Sequence, residues 1–218
     1  MPVLSGLGLY RFYHAGDEET VALKGVDISL EAGDFIALMG PSGSGKSTLL
    51  ACLAGLDDPD GGVVEVMRER MSQRSESHRA GLRARHIGML MQSGNLLDHL
   101  DVAGNVALQR WLSAVPPRGD GADVLTRLGL QHRTHSLPVM LSGGEAARAG
   151  LAVALAASPP ILMCDEPTAE VDASTERDII ELLHEKQRAG VAILVATHSA
   201  VLARAADRIL HIADGRLS

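Results

Sequence analysis

Aromatic residues are scarce in this chain of 218 residues, which contains one Trp, two Tyr and two Phe. We therefore expect an aliphatic core and few side chains on which nucleic-acid bases could stack. The formal net charge of −7 is a second reason to expect no nucleic-acid partner, because a phosphate backbone is bound by an excess of Lys and Arg.

Long apolar runs are also missing. The longest uncharged stretch, 149–164, is interrupted by Pro159-Pro160 and is shorter than a membrane-spanning helix needs. The N-terminus lacks the charged-then-apolar pattern of a signal peptide. Cys52 and Cys164 lie in apolar segments, as expected of buried thiols in a reducing compartment. We expect a soluble, cytosolic α/β protein, and the end at Ser218 predicts no appended regulatory domain.

A complete phosphate loop is the strongest motif in the sequence. It matches G-x-x-x-x-G-K-[ST] and comprises Gly40, Pro41, Ser42, Gly43, Ser44, Gly45, Lys46, Ser47 and Thr48. Apolar residues precede it, and apolar residues at helical spacing follow it, which is the strand–loop–helix context that the motif requires. The glycines let successive N–H groups point at a phosphate chain, and the dipole of the following helix adds positive charge. Lys46 would contact the β- and γ-phosphates and Ser47 would bind Mg²⁺, so the sequence predicts a nucleoside triphosphate site.

Polar residues also stand at the ends of three other predicted strands. Gln92 follows one apolar segment, Asp165-Glu166 end a second, and His198 follows a third. Because the carboxyl ends of parallel strands form the binding edge of such sheets, we expect these side chains to converge near Lys46. One carboxylate at that edge suits Mg²⁺, and the next suits activation of a water molecule.

A Ser-Gly-Gly-Glu segment opens a predicted helix that runs to about residue 157. Ser142 and Glu145 have the spacing of a capping box, which specifies a helix start locally. Capping does not explain the adjacent Gly143 and Gly144, because glycines weaken a first helical turn. Two glycines are expected if the phosphate of another molecule must approach the backbone there. We therefore interpret this helix start as an anion-binding element.

The remaining segments indicate the layout of the chain. Residues 1–39 are predicted to form short strands joined by turns, and 93–140 to form helices inserted into an alternating βα chain. We interpret the arginine-rich segment 68–85 as a solvated helical face and 178–189 as an amphipathic helix. Tyr13 is a candidate for stacking on a nucleotide base, and packing on a small sheet explains it equally well.

These motifs, in this order, resemble those of the ATP-binding subunit of ABC transporters. The resemblance covers essentially the whole chain and rests on the phosphate loop, Gln92, 141–145, 161–166 and His198. The stretch 87–108, with Met91-Gln92-Ser93 and Asn95-Leu96-Leu97, is most similar to the macrolide-export and lipoprotein-release subgroup.

The resemblance implies a particular α/β fold. Its core would be a P-loop NTPase (RecA-like) core with a mostly parallel sheet, joined by a small N-terminal antiparallel β subdomain and an inserted α-helical subdomain. Residues 1–92 would form the first part of the ATP-binding core together with the antiparallel subdomain. Residues 93–157 would form the helical subdomain, ending in the signature helix, and 158–218 the second part of the core.

The resemblance also implies roles at the nucleotide. The cofactors would be ATP and Mg²⁺. Tyr13 would stack on adenine, and the phosphate loop would wrap the phosphates. Ser47 and Gln92 would ligate Mg²⁺, with support from Asp165.

Further roles concern hydrolysis and a second subunit. Glu166 would polarise the attacking water, and His198 would contact the γ-phosphate. Two subunits of this family sandwich two nucleotides, so Ser142, Gly143 and Gly144 would close over ATP bound to a second copy. Asp172 would lie at the seam between the copies.

Several positions depart from the family pattern. Ala146-Ala147 precede Arg148 where two glutamines are usual, Val171 stands where a leucine is usual, and Met67-Arg68 replace a turn that commonly contains glycine. None of these changes removes a catalytic group. Our hypothesis is that the first two weaken dimer closure or slow turnover, so that restoring the glutamines raises ATPase activity.

The partners implied are an integral membrane permease and a second nucleotide-binding subunit, most simply an identical one. The protein would then be cytoplasmic and peripheral on the inner face of the cell membrane, as the motor of an exporter or release system. One alternative is a transmission ATPase of the cell-division type, which activates a cell-wall hydrolase through its membrane partner. Another is a soluble ABC ATPase that acts on ribosomes or DNA, against which the acidic charge argues.

Overall fold

The computed structural model describes residues 1–15, 18–113 and 122–218. The strands are β1 (Leu4–Ala15), β2 (Glu18–Leu30), β3 (Phe35–Met39), β4 (Gly61–Val66), β5 (Glu69–Arg70), β6 (Ile87–Leu90), β7 (Ile161–Asp165), β8 (Ala192–Ala196), β9 (Arg208–Ala213) and β10 (Arg216–Leu217). The helices are α1 (Lys46–Leu53), α2 (Glu76–His86), α3 (Val102–Leu112), α4 (Ala122–Arg127), α5 (Gly143–Leu155), α6 (Ala173–Arg188) and α7 (Ala200–Ala205), with a 3₁₀ turn at Pro138–Met140.

The central sheet has the strand order β10-β9-β3-β8-β7-β6. All of its pairs are parallel except β9 with β10. Every residue of β7 and β8 is buried, as expected of strands covered by helices on both faces. The carboxyl ends of β3, β7 and β8 therefore lie along one edge, which confirms the predicted mostly parallel core.

The second sheet is antiparallel and has the order β2-β1-β4-β5. It is formed mainly by the first thirty residues, in agreement with the predicted N-terminal antiparallel subdomain. Helices α3, α4 and α5 lie between β6 and β7 in the chain, as predicted for the helical insertion. Two parts of these predicted segments, 16–17 in the strand-and-turn segment 1–39 and 114–121 in the helical segment 93–140, lie outside the described residues.

Two aliphatic clusters cover the faces of the central sheet. Alternate residues of one strand belong to different clusters: Ile161 and Met163 pack in the first, Leu162 and Cys164 in the second. Phe35 is the only aromatic residue in either cluster among the residues that the structure covers. The expectation of an aliphatic core is thus confirmed.

Two predicted boundaries were wrong. Helix α6 begins at Ala173 rather than at residue 178, because the carboxylate of Asp172 accepts hydrogen bonds from the first free N–H groups and caps the helix. The arginine-rich segment is helical only from Glu76 onward, since Glu69–Arg70 pair with β4. Met67 and Arg68 form the tight turn between these strands, and both have positive φ angles, 50° and 69°.

Candidate nucleotide-binding site

The phosphate loop connects β3 to α1 at the edge of the central sheet. Lys46 Nζ donates hydrogen bonds to the carbonyl oxygens of Gly40 and Pro41, at 2.7 and 3.0 Å, and so closes the loop on itself. Gly45 has a φ of 107°, and a methyl group there would lie 2.6 Å from the Ala22 carbonyl oxygen. The loop can therefore form only with glycine at this position.

A cavity of about 730 Å³ opens over this loop. Its walls include Gly40, Pro41, Ser42, Gly43, Gly45, Lys46, Ser47, Thr48, Tyr13, Gln92, Asp165, Glu166 and His198. Ser44 is the one residue of the predicted phosphate loop that is not part of the wall; it is buried, and its N–H donates to the Pro41 carbonyl. The fold thus brings nearly all predicted residues of one nucleotide site to one cavity.

Two adjacent carboxylates stand at the end of β7. Asp165 is buried and accepts a hydrogen bond from the Ser47 hydroxyl. Burial raises the pKa of Asp165, and the bond from Ser47 opposes that rise. Glu166 has a φ of 55°, a left-handed conformation that costs a non-glycine residue roughly 1–2 kcal/mol. Such strain is common where a side chain must be held in a functional direction.

His198 lies next to Glu166. The Nδ1 atom of His198 is 2.9 Å from Oε2 of Glu166, and the His198 backbone N–H points to the same oxygen at 3.3 Å. The histidine side chain is 71% exposed and the glutamate side chain 13% exposed. The imidazole therefore stands at the solvent side of the carboxylate, where it can meet a ligand that enters the cavity.

Residues near the N-terminal end of α1 have the oxygen atoms that a Mg²⁺ site needs. The Ser47 hydroxyl, the Asp165 carboxylate and the Gln92 amide supply oxygen donors, which this ion prefers. Among the described residues, no group of three or more His, Cys, Asp or Glu could hold a metal by itself. This fits an ion that takes its remaining ligands from substrate phosphates and water.

Tyr13 is part of the wall of the same cavity as the paired carboxylates. Its ring is 40% exposed, and its hydroxyl donates to Oδ2 of Asp57 at 2.8 Å. Burial, followed by the neighbouring Asp57, raises the pKa of this hydroxyl, so it stays protonated and acts as a donor. The residue thus lines the cavity while its hydroxyl is held by Asp57, and its stacking on a nucleotide base stays a prediction.

The predicted anion-binding helix start lines cavities other than the phosphate-loop cavity. Ser142, Gly143 and Gly144 line a cavity of about 740 Å³ with Arg133, Arg148 and Asp172, while the phosphate-loop cavity has none of the three in its wall. The capping box is confirmed, because Ser142 Oγ accepts from the Glu145 N–H and Glu145 accepts from the Ser142 N–H. Gly143 also lines a smaller cavity of about 370 Å³ together with Gln92 and Glu166, so the helix start lies outside the phosphate-loop cavity but shares a cavity with these two residues.

The Asp172 carboxylate has a structural role that the sequence interpretation missed. It accepts hydrogen bonds from the backbone and the hydroxyl groups of Ser174 and Thr175, which hold its pKa well below the usual range. Asp172 also lines the same cavity as Ser142–Gly144, and its place at a seam between two copies stays a prediction. The run Asp-Ala-Ser-Thr before an apolar periodicity is a helix-start signal that could have revealed the cap.

Sequence reasoning also missed residues that tertiary contacts bring to the site. Asp214 and Gly215, from the turn between β9 and β10, line the phosphate-loop cavity, and Asp214 pairs with Lys24 at 2.7 Å. Glu170 lies against the signature helix: a methyl group on Gly143 would be 2.7 Å from its Oε2 atom. No short-range signal in the sequence marks these contacts.

The phosphate loop follows the central parallel strand β3, and the paired carboxylates stand at the end of β7, which is two positions from β3 in the sheet. This arrangement defines a P-loop nucleotide-binding protein. Comparisons with known proteins narrow this class. The sequence model of the ABC transporter family matches residues 23–169. The chain is 38% identical over 218 residues to the lipoprotein-releasing system ATP-binding protein LolD of Acinetobacter baylyi, covering 98% of this chain and 96% of that protein.

Another relative is longer. The macrolide export ATP-binding/permease protein MacB of Burkholderia cenocepacia is 37% identical over 220 residues, which are 99% of this chain but 32% of MacB. The chain thus spans about a third of such relatives. Two dimeric structures of the bacterial ABC transporter cassette MJ0796 also match this chain, and one of them is a post-hydrolysis state bound to ADP and Pi. Both have a TM-score of 0.93, and their sequence identities to this chain are 30% and 31%. Each match covers 99% of this chain and 96% of MJ0796.

The chain therefore belongs to the ABC transporter family. Within that family it is an ATP-binding subunit, an ATPase of the ABC type, and the resemblance seen in the sequence is confirmed.

Proposed function

We propose that two copies of this chain bind and hydrolyse two Mg·ATP molecules between them and so drive a separate integral membrane permease that exports or releases its cargo. One observation carries the proposal. Lys46, the Ser47–Asp165 pair and the Glu166–His198 pair meet in one cavity, and the wall of that cavity contains none of Ser142, Gly143 and Gly144, which together line another.

The hydrolytic step follows from the residues of that cavity. Lys46, now bonded to two carbonyl oxygens, would turn to the β- and γ-phosphates, which are stronger acceptors. The Glu166 carboxylate would accept a hydrogen bond from the attacking water and so increase its nucleophilicity. Bound at Ser47, Gln92 and Asp165, Mg²⁺ would neutralise charge on the phosphate oxygens.

Dimerisation supports the same function. A helix start with two glycines and free N–H groups is a site for an anion, and a γ-phosphate bound to a second copy has the charge and shape it needs. Hydrolysis removes the group that bridges the two copies, so the dimer would open after each turnover. Asp172 and Val171, beside this helix start, would lie at the seam.

The membrane partner is inferred from relatives. In the described part of the chain no helix has the length and apolar character that a bilayer crossing demands. The similarity to LolD and to the ATP-binding part of MacB favours a permease with export or release activity, and a position on the inner face of the membrane. Residues 93–157 would carry the movement of the Gln92 loop to that partner.

Two substitutions test the ATPase assignment. Glu166→Gln should bind ATP, hydrolyse it roughly 10²–10⁴-fold more slowly and dimerise in ATP, because only the acceptor for the water proton is lost. Lys46→Ala should lose ATP binding, since the phosphate chain loses its main cation. Glu181→Gln, an exposed change on α6, is the matched control and should behave as wild type. Normal turnover by Glu166→Gln would assign water activation to another group.

The partner is tested with tagged Glu166→Gln protein, which holds the dimer in ATP. Pull-down from native membranes should recover an integral membrane protein with a large extracytoplasmic region. Transport by vesicles that contain both proteins then separates an exporter from a transmission ATPase. Recovery of ribosomal or DNA-bound proteins alone would contradict the membrane assignment.

A further inference from the structure

A cluster of charged side chains surrounds Tyr13, which lines the phosphate-loop cavity. The guanidinium carbon of Arg11 lies 4.8 Å from the centre of the Tyr13 ring, within the range of a cation–π contact. The two residues are two positions apart on β1, so their side chains lie on the same face of that strand. Tyr13 lines the phosphate-loop cavity and Arg11 does not, so Arg11 reaches the ring from outside the cavity wall.

Asp57 bonds both side chains, and Asp60 bonds that of Arg11. Arg11 donates from Nε and Nη2 to the two carboxylate oxygens of Asp57, each at 2.8 Å, and from Nη1 to Asp60 at 3.0 Å. Asp57 also accepts from the Tyr13 hydroxyl at 2.8 Å. A planar guanidinium bonded at three of its nitrogens has little freedom, and the side chain is only 21% exposed.

The cluster connects Tyr13 with the chain segment that follows the phosphate loop. Asp57 and Asp60 lie between α1 and β4, and α1 begins at Lys46 of the phosphate loop. The Tyr13 hydroxyl is thus held by Asp57, from the loop that follows the helix beginning at the phosphate loop, and Arg11 of the same strand lies over the ring.

We propose that Arg11 is a positioning residue for the purine base of the nucleotide, acting through Tyr13. This inference rests on the proposed binding of ATP in the cavity. The cation behind the ring draws the ring's π electrons toward itself, which reduces repulsion between the ring's open face and the π electrons of a stacked base. The base, the tyrosine ring and the guanidinium would then form a three-layer stack.

A purely structural ion pair would have different consequences. If Arg11 only stabilised the turn that contains Asp57, its loss would affect every ligand of the phosphate loop equally. If it acts on the base through Tyr13, its loss would affect ATP but not inorganic tripolyphosphate, which has the same phosphate chain and no base. The effect would also vanish once the ring is removed.

The experiment measures the affinity of ATP and of tripolyphosphate, with Mg²⁺ present, for the full chain carrying Glu166→Gln to prevent hydrolysis. Arg11→Met removes the charge at similar length, and Arg11→Lys keeps the charge and an ion pair but not the planar fork. Each is combined with Tyr13→Ala in a double-mutant cycle. Should the methionine variant not fold, the lysine variant still tests the inference, because it should weaken ATP binding by a smaller factor and leave tripolyphosphate affinity unchanged.

We expect Arg11→Met to weaken ATP binding about fivefold, as the loss of a partly desolvated cation–π contact implies, with Arg11→Lys between it and the parent. Tripolyphosphate affinity should change less than about twofold, and Arg11→Met should have no further effect on ATP in the Tyr13→Ala background. Unchanged ATP affinity, or an equal loss for both ligands, would overturn the inference. A parent protein that binds neither ligand would instead contradict the ATP-binding function on which the inference rests.

Discussion

His198 Nδ1 lies 2.9 Å from Oε2 of Glu166, so the two residues proposed to act on the water and on the γ-phosphate are in contact before any ligand binds. With the carboxylate ionised, Nδ1 carries the hydrogen that points to it, and in the neutral ring Nε2 is then an acceptor. A phosphate oxygen needs a donor. A nucleotide that accepts a hydrogen bond from Nδ1 must therefore displace the Glu166 carboxylate from this contact.

Replacing His198 by Ala should lower the rate of hydrolysis more than it lowers ATP affinity. The donor would act mainly as charge develops on the γ-phosphate, and the loss of one such donor typically costs about 10²–10³-fold in rate. Phosphate release and equilibrium ATP binding measured on the same protein check this split. His78→Ala, an exposed position on α2, is the control. An unchanged hydrolysis rate would remove His198 from the mechanism.

Glu170 should oppose closure of the dimer. Its Oε2 atom lies against Gly143, at the helix start that would receive the partner's γ-phosphate, so two negative groups would meet there. In a Glu166→Gln background, Glu170→Gln should tighten ATP-dependent dimerisation by roughly threefold to tenfold, since a symmetric dimer contains the contact twice. Sedimentation across a series of protein concentrations checks this, and equal or weaker dimerisation would contradict it.

Ala146 and Ala147 line a cavity of about 370 Å³ together with Gln92 and Glu166. Glutamines at these positions would fill it and connect α5 to the Gln92 loop by hydrogen bonds. Ala146→Gln/Ala147→Gln should therefore raise ATPase activity about twofold to tenfold, the equivalent of one net hydrogen bond. Leucines at both positions supply similar volume without hydrogen bonds and should not reproduce the increase. No change with glutamines would dispose of the hypothesis.

Glu145 should contribute to the loss of stability in acid. The Ser142 N–H, followed by Arg133, lowers the pKa of Glu145 from its ordinary 4.5 to about 2. Because the folded-state pKa is the lower one, this stabilisation is complete above pH 4.5 and is lost as the pH falls toward 2. Glu145→Gln should reduce the dependence of the melting temperature on pH between pH 4.5 and about 2. A slope identical to wild type would exclude the contribution.

Local patterns were sufficient for much of the fold. Helices α3 and α4 lie within the segment 93–140 that was predicted to be helical, and β7 ends at Asp165, as its apolar run predicts. These segments are strongly periodic or wholly apolar, so burial and local propensity favour the same structure. The bounds of α6 were predicted poorly because its start depends on a cap rather than on its apolar face.

The sequence by itself determined the family, the phosphate loop and the order of the motifs, because each depends on residue types at fixed short spacing. Only the tertiary structure decided which distant groups meet: Arg11 behind Tyr13, Asp214 beside the phosphate loop, and Glu170 against Gly143. It also decided that the Ser142–Gly144 helix start and the phosphate loop face separate cavities of one subunit. The physical reason is that sheet order and helix packing set these distances, and neither is encoded by local spacing.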